Sequence, residues 1–140
     1  MAASVDAMSD GVDFARKMFF DDPASAKLGM KLLRSEIGVS EVSMRVTEEM
    51  INGHDITHGG FVFTLADTAF AVACNSYGRT TVAGGASIDF LASTRIGDEL
   101  VATAVERVRC GRNGIYDVTV RCGEVVVAEF RGRSRELRDS

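Results

Sequence analysis

The feature that most constrains the fold of this chain is a long apolar segment near its middle. From Phe61 to Tyr77 the segment contains a single charged residue, Asp67, and Gly78 follows where helices commonly end. This composition predicts a helix that is apolar nearly all round, and such a helix has to be covered by other elements on more than one side. Polar residues interrupt the segment, which is too short to cross a bilayer, so we expect no membrane partner.

Most of the remaining chain has the alternating pattern of β-strands. The predicted strands are Met30 to Glu36, Val39 to Val46, Thr81 to Phe90, Leu100 to Cys110, Ile115 to Cys122 and Val125 to Arg135. Glycine-containing turns at residues 111–114 and 123–124 indicate that the last three strands form a meander. We therefore expect an α+β fold in which an antiparallel sheet of about six strands wraps one long central helix.

A helical segment precedes the sheet, within about residues 1–29. An amphipathic helix is predicted from Gly11 to Phe20 with Asp10 as its N-cap, and a further turn at residues 24–28. No repeat or linker divides the chain, so we predict a single domain over residues 1–140. The uncovered face and edges of the sheet favour a dimer.

Composition excludes several classes of function. The net charge of −4 argues against a nucleic-acid partner. Three cysteines without CxxC spacing indicate neither a disulfide framework nor a zinc site, and two histidines without a third ligand nearby make any metal site improbable. The first ten residues lack the basic start and apolar core of a signal peptide, so we expect a cytoplasmic location.

Asp67 is the polar residue that is hardest to explain by packing. Helical spacing places it near Phe63 and Phe70, and no Lys or Arg lies within a turn of it. A buried carboxylate costs several kcal/mol unless it is paired or hydrogen-bonded. One interpretation is a carboxylate that points to solvent or accepts hydrogen bonds from loop amides. The other is an acid or base in a cleft, where burial raises its pKa toward the working range.

The residues before this helix form a second candidate. His58-Gly59-Gly60 stands where the amides of a helix N-terminus have no internal partner, and glycine lets a ligand approach the bare backbone. Such a terminus suits a developing oxyanion, although the glycines are equally compatible with a tight entry to the helix. Asn52-Gly53 is by composition a turn, and His54 beside it is expected in a surface loop.

Alternating arginines make the late strands basic on one face. Arg131, Arg133 and Arg135 project to the same side of the last predicted strand, and four more arginines, at positions 107, 109, 112 and 121, lie on or beside its neighbours. A solvated face and a phosphate-binding surface both remain open as interpretations.

The segments Asn52-Gly53-His54, His58-Gly59-Gly60 and Leu65 to Ala71 together resemble the signature of hotdog-fold thioesterases of the phenylacetyl-CoA thioesterase type. Ser87 to Leu91, Gly114 to Val118 and Phe130 to Ser134 resemble later strands of the same family, so the resemblance covers roughly residues 15 to 136. It implies a hydrolase acting on an acyl-CoA, such as phenylacetyl-CoA or a related aryl or medium-chain thioester. It also implies dimers that pair into tetramers and no metal or other cofactor, since coenzyme A is part of the substrate.

The resemblance also implies roles for individual residues. Asp67 matches the catalytic carboxylate, the Gly59 amide matches the group that polarises the thioester carbonyl, and Asn52 and Thr68 match assisting residues. His58 is a further catalytic candidate because it flanks the glycines. Contacts to the substrate are expected from Gly60, His54, Phe63, Ser87, Arg112 and Asn113. Sites of this family are built across the dimer, with the loop from one subunit and the carboxylate from the other.

One departure from the family concerns coenzyme A binding. The family commonly continues Asp-Phe-Leu with Arg-Pro, whereas Leu91 is followed here by Ala92-Ser93-Thr94-Arg95. Arg95, Arg112 or the late arginines would then have to contact the phosphates.

Two alternative functions share the fold. A hydratase or dehydratase of acyl thioesters usually needs an Asp and a His a few residues apart, and no His follows Asp67 in that way. A non-catalytic acyl-CoA-binding module would not need a carboxylate on the helix.

Overall fold

The computed structural model describes residues 5–138, and its elements follow the predicted order. The helices are α1 (Val5–Phe20), α2 (Pro23–Lys27) and α3 (Gly59–Cys74), with a short 3-10 turn at Glu48–Met50. The strands are β1 (Lys31–Glu36), β2 (Val39–Arg45), β3 (Thr81–Phe90), β4 (Glu99–Cys110), β5 (Asn113–Cys122) and β6 (Val125–Glu136). Among these residues no helix combines the length and apolar character needed to span a membrane.

All six strands belong to one antiparallel sheet in the order β1-β2-β4-β5-β6-β3. The predicted meander of β4, β5 and β6 is confirmed. β3, which follows the long helix, returns to pair with β6, so that Phe90 lies opposite Ala128 and Thr81 opposite Glu136. β1 and β3 are therefore the two edges of the sheet, and the expected α+β architecture of a sheet around one long helix is confirmed.

α3 packs on the inner face of the sheet. Phe70 is 1% exposed, and its ring lies 5.7 Å from that of Tyr116 and 5.8 Å from that of Phe130, centroid to centroid. A stripe of half-buried residues runs along the side of the helix that the sheet does not cover, namely Thr64, Asp67, Thr68 and Ala71. Phe63 lies at the margin of this stripe and packs on Phe130, with the ring centroids 5.3 Å apart. Within residues 5–138 the sheet thus covers one side of α3 and leaves this half-exposed stripe along the other.

Both ends of α3 differ from the sequence prediction. The helix begins at Gly59, and it ends at Cys74 rather than Tyr77. Asn75 explains the earlier end, because its side chain donates to the carbonyl oxygens of Ala71 and Thr81 and accepts from the Thr81 amide. These bonds turn the chain out of the helix and toward β3.

The prediction for the N-terminal helix was wrong at its start. α1 begins by Val5, so Asp10 lies inside the helix and is not its N-cap. The helix crosses the end of α3 very closely at Gly11, where a Cβ would lie 2.3 Å from the carbonyl oxygen of Ser76. A side chain at position 11 could not be accommodated, so this crossing brings α1 into close contact with the end of α3.

Candidate active site

The N-terminus of α3 is capped by a histidine. The His58 backbone is extended, with φ −63° and ψ 131°, and its Nδ1 accepts a hydrogen bond from the Gly60 amide at 2.9 Å. Its own amide donates to the Met50 carbonyl oxygen at 2.7 Å. Since Nδ1 is an acceptor, the neutral ring carries its proton on Nε2. The His58 side chain therefore acts as the N-cap of α3, and its ring is exposed to solvent.

The Gly59 amide is left without an acceptor among residues 5–138. Gly59 lines a cavity of about 360 Å³ together with Asn52, Val62, Phe90 and Ala92, and the whole lining formed by the described residues is uncharged. The Phe90 ring covers the glycine, because a Cβ at position 59 would lie 3.0 Å from the end of that ring. A free N–H at a helix N-terminus, facing an uncharged cavity, is suited to polarising a carbonyl group.

Asn52 shapes the loop that leads to this amide. Its Oδ1 accepts from the amides of His54 at 2.8 Å and Ile56 at 3.4 Å, and its own amide donates to the Ile56 carbonyl oxygen at 2.8 Å. These bonds form the turn that the Asn-Gly pair predicts, with Asp55 at φ 61°. His54 is exposed at the tip of the turn, as expected. Asn52 nevertheless lines the cavity, and its Nδ2 donates to no residue within 5–138.

Asp67 lies eight residues after Gly59 on the same helix, which is about 12 Å along the axis and about 80° around it. It does not line the cavity at Gly59. Its side chain is half-buried on the half-exposed stripe. Phe63, one turn before it, and Phe70, three residues after it, both pack on the Phe130 ring, with centroid distances of 5.3 and 5.8 Å. Burial raises the pKa of the Asp67 carboxyl, which forms no ion pair or hydrogen bond within residues 5–138.

Two threonines flank this carboxyl on the half-exposed stripe. The hydroxyl of Thr68 donates to the Thr64 carbonyl oxygen at 2.9 Å, and that of Thr64 donates to the Gly60 carbonyl oxygen at 2.8 Å. Each hydroxyl proton is thus taken by the helix backbone, and what Thr68 presents to a ligand is its oxygen as an acceptor.

Cys74 lies seven residues further along the helix and is part of the core. Burial, and after it the nearby Asp67 charge, raises the pKa of the Cys74 thiol to about 12. The thiol is therefore protonated at neutral pH, and Cys74 serves as a small core residue.

The remaining predicted contact residues lie away from Gly59 in this chain. Ser87 is exposed on β3 opposite Arg131, on the sheet face that points away from α3. Arg112 lies in the β4–β5 turn and Asn113 begins β5, and both line a small pocket with Tyr77, past the C-terminal end of α3. The structure thus brings Asn52, Gly59 and Gly60 together at the start of α3. It places Ser87, Arg112 and Asn113 elsewhere in the chain.

The alternating arginines of β6 project to the same side of the strand, as predicted. They lie on the sheet face away from α3, and one of them is neutralised. Arg131 binds Asp117 through two hydrogen bonds of 2.7 and 2.9 Å, and Arg107 lies 3.4 Å from the same carboxylate. The hydrogen bond from Arg131 holds the pKa of Asp117 below its usual range. This part of the basic face is a paired surface network. Of the seven arginines, Arg112, Arg121 and Arg133 have no side-chain hydrogen bond or ion pair within residues 5–138 and are better placed for an external anion.

Sequence reasoning assigned no role to three residues of the cavity. Phe90 belongs to the segment Ser87 to Leu91 that resembles the family, but no function was assigned to it. Thr57 and Thr94 were not identified as candidates. The two threonine hydroxyls lie 2.6 Å apart, and each residue is buried, at 8% and 4% exposure. Both lie in irregular segments, where no periodic pattern signals burial, so the sequence alone offered no indication of this pair.

A profile of the Thioesterase superfamily matches residues 54–129, the part of the chain that contains the cavity loop, α3 and most of the sheet. The chain is 43% identical over 124 residues to the acyl-coenzyme A thioesterase PaaI of Escherichia coli K12, covering 88% of this chain and 89% of that protein. The chain belongs to the thioesterase superfamily. The prediction that it is a thioester hydrolase is thereby confirmed.

Solved structures agree with this membership. The E. coli PaaI protein from the phenylacetic acid degradation operon superposes with a TM-score of 0.91 at 38% identity, over 96% of this thioesterase and 98% of that chain. The smu.793 protein of Streptococcus mutans UA159, solved bound to acetyl CoA, superposes with a TM-score of 0.74 at 26% identity, over 77% and 88% of the two chains. The hotdog fold expected from the resemblance is therefore confirmed.

Proposed function

We propose that this thioesterase hydrolyses acyl-CoA, with phenylacetyl-CoA or a related aryl or medium-chain acyl-CoA as its substrate. The observation that carries the proposal is the Gly59 amide at an uncharged cavity, on the same helix as the half-buried Asp67, with neither group bonded to any residue within 5–138. The curated name of the E. coli relative and the acetyl CoA bound to the S. mutans protein support the class of substrate. The uncharged lining favours an acyl group without a charge, because a buried unpaired charge is costly.

In the proposed reaction the thioester carbonyl oxygen accepts a hydrogen bond from the Gly59 amide. Asp67 takes a proton from water as the water oxygen attacks the carbonyl carbon. The tetrahedral intermediate then collapses, the carbon–sulfur bond breaks, and the thiolate of coenzyme A takes up the proton. An attack by the carboxylate itself, which would give a mixed anhydride that water then hydrolyses, uses the same residues.

A separation of about 12 Å along one helix is too large for Gly59 and Asp67 of the same chain to act on one carbonyl group. The proposal therefore includes a homodimer, in which the loop of one chain faces the Asp67 of the other, and pairing of dimers into a tetramer. The half-exposed stripe of α3 and the free edge of β3 support this assembly. A cytoplasmic location also belongs to the proposal, in keeping with three cysteines that form no disulfide.

A panel of acyl-CoA substrates tests the activity. We expect release of free thiol from phenylacetyl-CoA and medium-chain acyl-CoA, and slower release from malonyl- or succinyl-CoA, whose acyl groups are charged. The proposal fails if no acyl-CoA of the panel releases thiol above the rate seen with the Asp67→Asn variant.

A further inference from the structure

Two buried threonines join the two segments that bound the cavity at Gly59. Thr57 lies two residues before Gly59. Thr94 lies four residues after Phe90, whose ring forms one wall of the cavity and is called the Phe90 wall. The Thr57 amide donates to the Thr94 carbonyl oxygen at 2.8 Å, and the two hydroxyl oxygens lie 2.6 Å apart. The contact therefore consists of one backbone and one side-chain hydrogen bond at the same point.

The pair is shielded from water. Thr57 is 8% and Thr94 4% exposed, and neither hydroxyl has a second partner among residues 5–138. Removing one hydroxyl would leave the other buried and unpaired, which costs more than the net gain of an ordinary hydrogen bond. The two side chains consequently act as a unit rather than as two independent contacts.

Both segments are fixed on either side of this contact. The amides of Leu91 and Ala92 donate to the Val127 carbonyl oxygen of β6, and the Gly97 amide donates to the Val46 carbonyl oxygen after β2. An isolated bridge between Ile51 and Thr57 closes the loop on the other side. Since the segment after Phe90 is anchored to the sheet, the backbone bond and the hydroxyl pair of Thr57 and Thr94 join the loop before Gly59 to a fixed part of the fold.

We propose that Thr57 and Thr94 are positioning residues that hold the Gly59 amide at the distance from the Phe90 wall where the thioester carbonyl receives its N–H. The inference rests on the proposed acyl-CoA hydrolysis and assigns neither threonine a contact with the reacting atoms. Misplacement of a catalytic group by about 1 Å can cost about a hundredfold in rate, so a small shift of the loop acts on kcat. Binding of coenzyme A, which extends beyond the cavity, is affected far less.

A double-mutant cycle on the full-length protein tests the unit. We expect Thr57→Val and Thr94→Val each to lower kcat at least about tenfold, with KM changed less than about twofold. The double variant should lose no more of its kcat than either single variant, because each single substitution already removes the interaction. The double variant also leaves no buried hydroxyl without a partner. Thr94→Ser, which keeps the hydroxyl, should restore kcat to within about twofold of the wild type.

Thr103→Val is the matched control. The Thr103 hydroxyl donates to Glu41 at 3.0 Å between two strands, on the sheet face away from α3, so its loss removes a similar bond far from the cavity. We expect this variant to keep its kcat and to lose less melting temperature than Thr94→Val, because water can reach the half-exposed Glu41 carboxylate. The affinity for a thioether analogue of the substrate, which has no carbonyl group, should be the same in all variants.

Three results would overturn the inference while the wild type remains active: unchanged kcat in both valine variants, additive losses in the double variant, or a serine variant as slow as the valine variant. Should Thr94→Val fail to fold, Thr57→Val and Thr94→Ser still complete the comparison. Failure of the proposed function is separate, since it appears in the wild type as absence of acyl-CoA turnover.

Discussion

Gly59 and Asp67 occupy the same helix, yet they lie about 12 Å apart along it and on different faces. The glycine amide faces a cavity with an uncharged lining, and the carboxyl stands on a stripe that the sheet leaves half-exposed. The two groups proposed for catalysis therefore cannot meet within one chain, and this separation determines how the proposal is best tested.

Complementation between inactive chains tests the composite site. We mix Asp67→Asn with a chain disabled in the loop by Asn52→Ala and Gly59→Pro, after dissociation and reassembly. A mixed dimer has one site with both defects and one with neither, and random pairing makes half of the dimers mixed. Activity should therefore return to about a quarter of the wild type. If mixed dimers form, as shown by mass, and remain inactive, each site lies within one chain.

Replacing the carboxyl should abolish most of the turnover without unfolding the protein. We expect Asp67→Asn to lower kcat by about 10²–10⁴, since general-base assistance contributes that much. Asp13→Asn, a change of the same kind at an exposed position of α1, is the control and should be fully active. Near-normal thiol release by Asp67→Asn would remove this residue from the mechanism.

The same substitution should stabilise the protein at neutral pH. Burial raises the pKa of the folded Asp67 carboxyl above the unfolded value of about 3.9. The folded state then binds the proton more tightly, so the stability that this carboxyl supplies is complete below the unfolded pKa and is lost as pH rises through the folded pKa. Urea unfolding at about pH 7 should show Asp67→Asn more stable than the wild type, with the difference shrinking in acid. An equal or lower stability of the variant at neutral pH would contradict this.

A methyl group at Gly59 should damage activity more than stability. The added Cβ would lie 3.0 Å from the end of the Phe90 ring, which is 53% exposed and has space to move outward. We expect Gly59→Ala to displace this wall and lower kcat about tenfold or more, with a small change in melting temperature. Gly53→Ala is the control in the same loop, because its Cβ would meet nothing within 4 Å. Equal kinetics of the two variants would show that the ring position is irrelevant.

Coenzyme A binding should depend on salt and on particular arginines. KM for acyl-CoA should rise with ionic strength while kcat changes little, because exposed charges are screened. Arg112→Gln should raise KM more than Arg131→Gln, since Arg131 already binds Asp117 through two hydrogen bonds. If KM does not respond to salt, the arginines form only a solvated face.

The regular elements were predictable because periodicity signals them. The apolar run from Phe61 predicted the helix. The alternation of Arg131, Arg133 and Arg135 predicted one face of β6, and the glycine turns predicted the meander. Asp67 was identified by contrast with its apolar neighbours. The helix end at Cys74 was missed, because it depends on side-chain bonds from Asn75 to a strand that composition does not reveal.

The cavity wall was missed for a related reason. Thr57 and Thr94 are far apart in sequence and lie in loops, where burial follows from tertiary contacts and not from any local pattern. Phe90 appeared as one more strand residue, and its position over Gly59 depends on how β3 returns to β6. Pairings of this kind can be read only from the folded chain.

The return of β3 to β6 also fixes an order of events during synthesis. β3 emerges from the ribosome long before β6, yet β6 is its hydrogen-bonding neighbour within the chain, from Thr81 opposite Glu136 to Phe90 opposite Ala128. Until residues 128–136 have been translated, β3 cannot take its place in the sheet, and the Phe90 ring is not held over the glycine. A nascent chain therefore carries the helix with its carboxyl well before it has a substrate cavity, and the last strand to be made is the one that completes it.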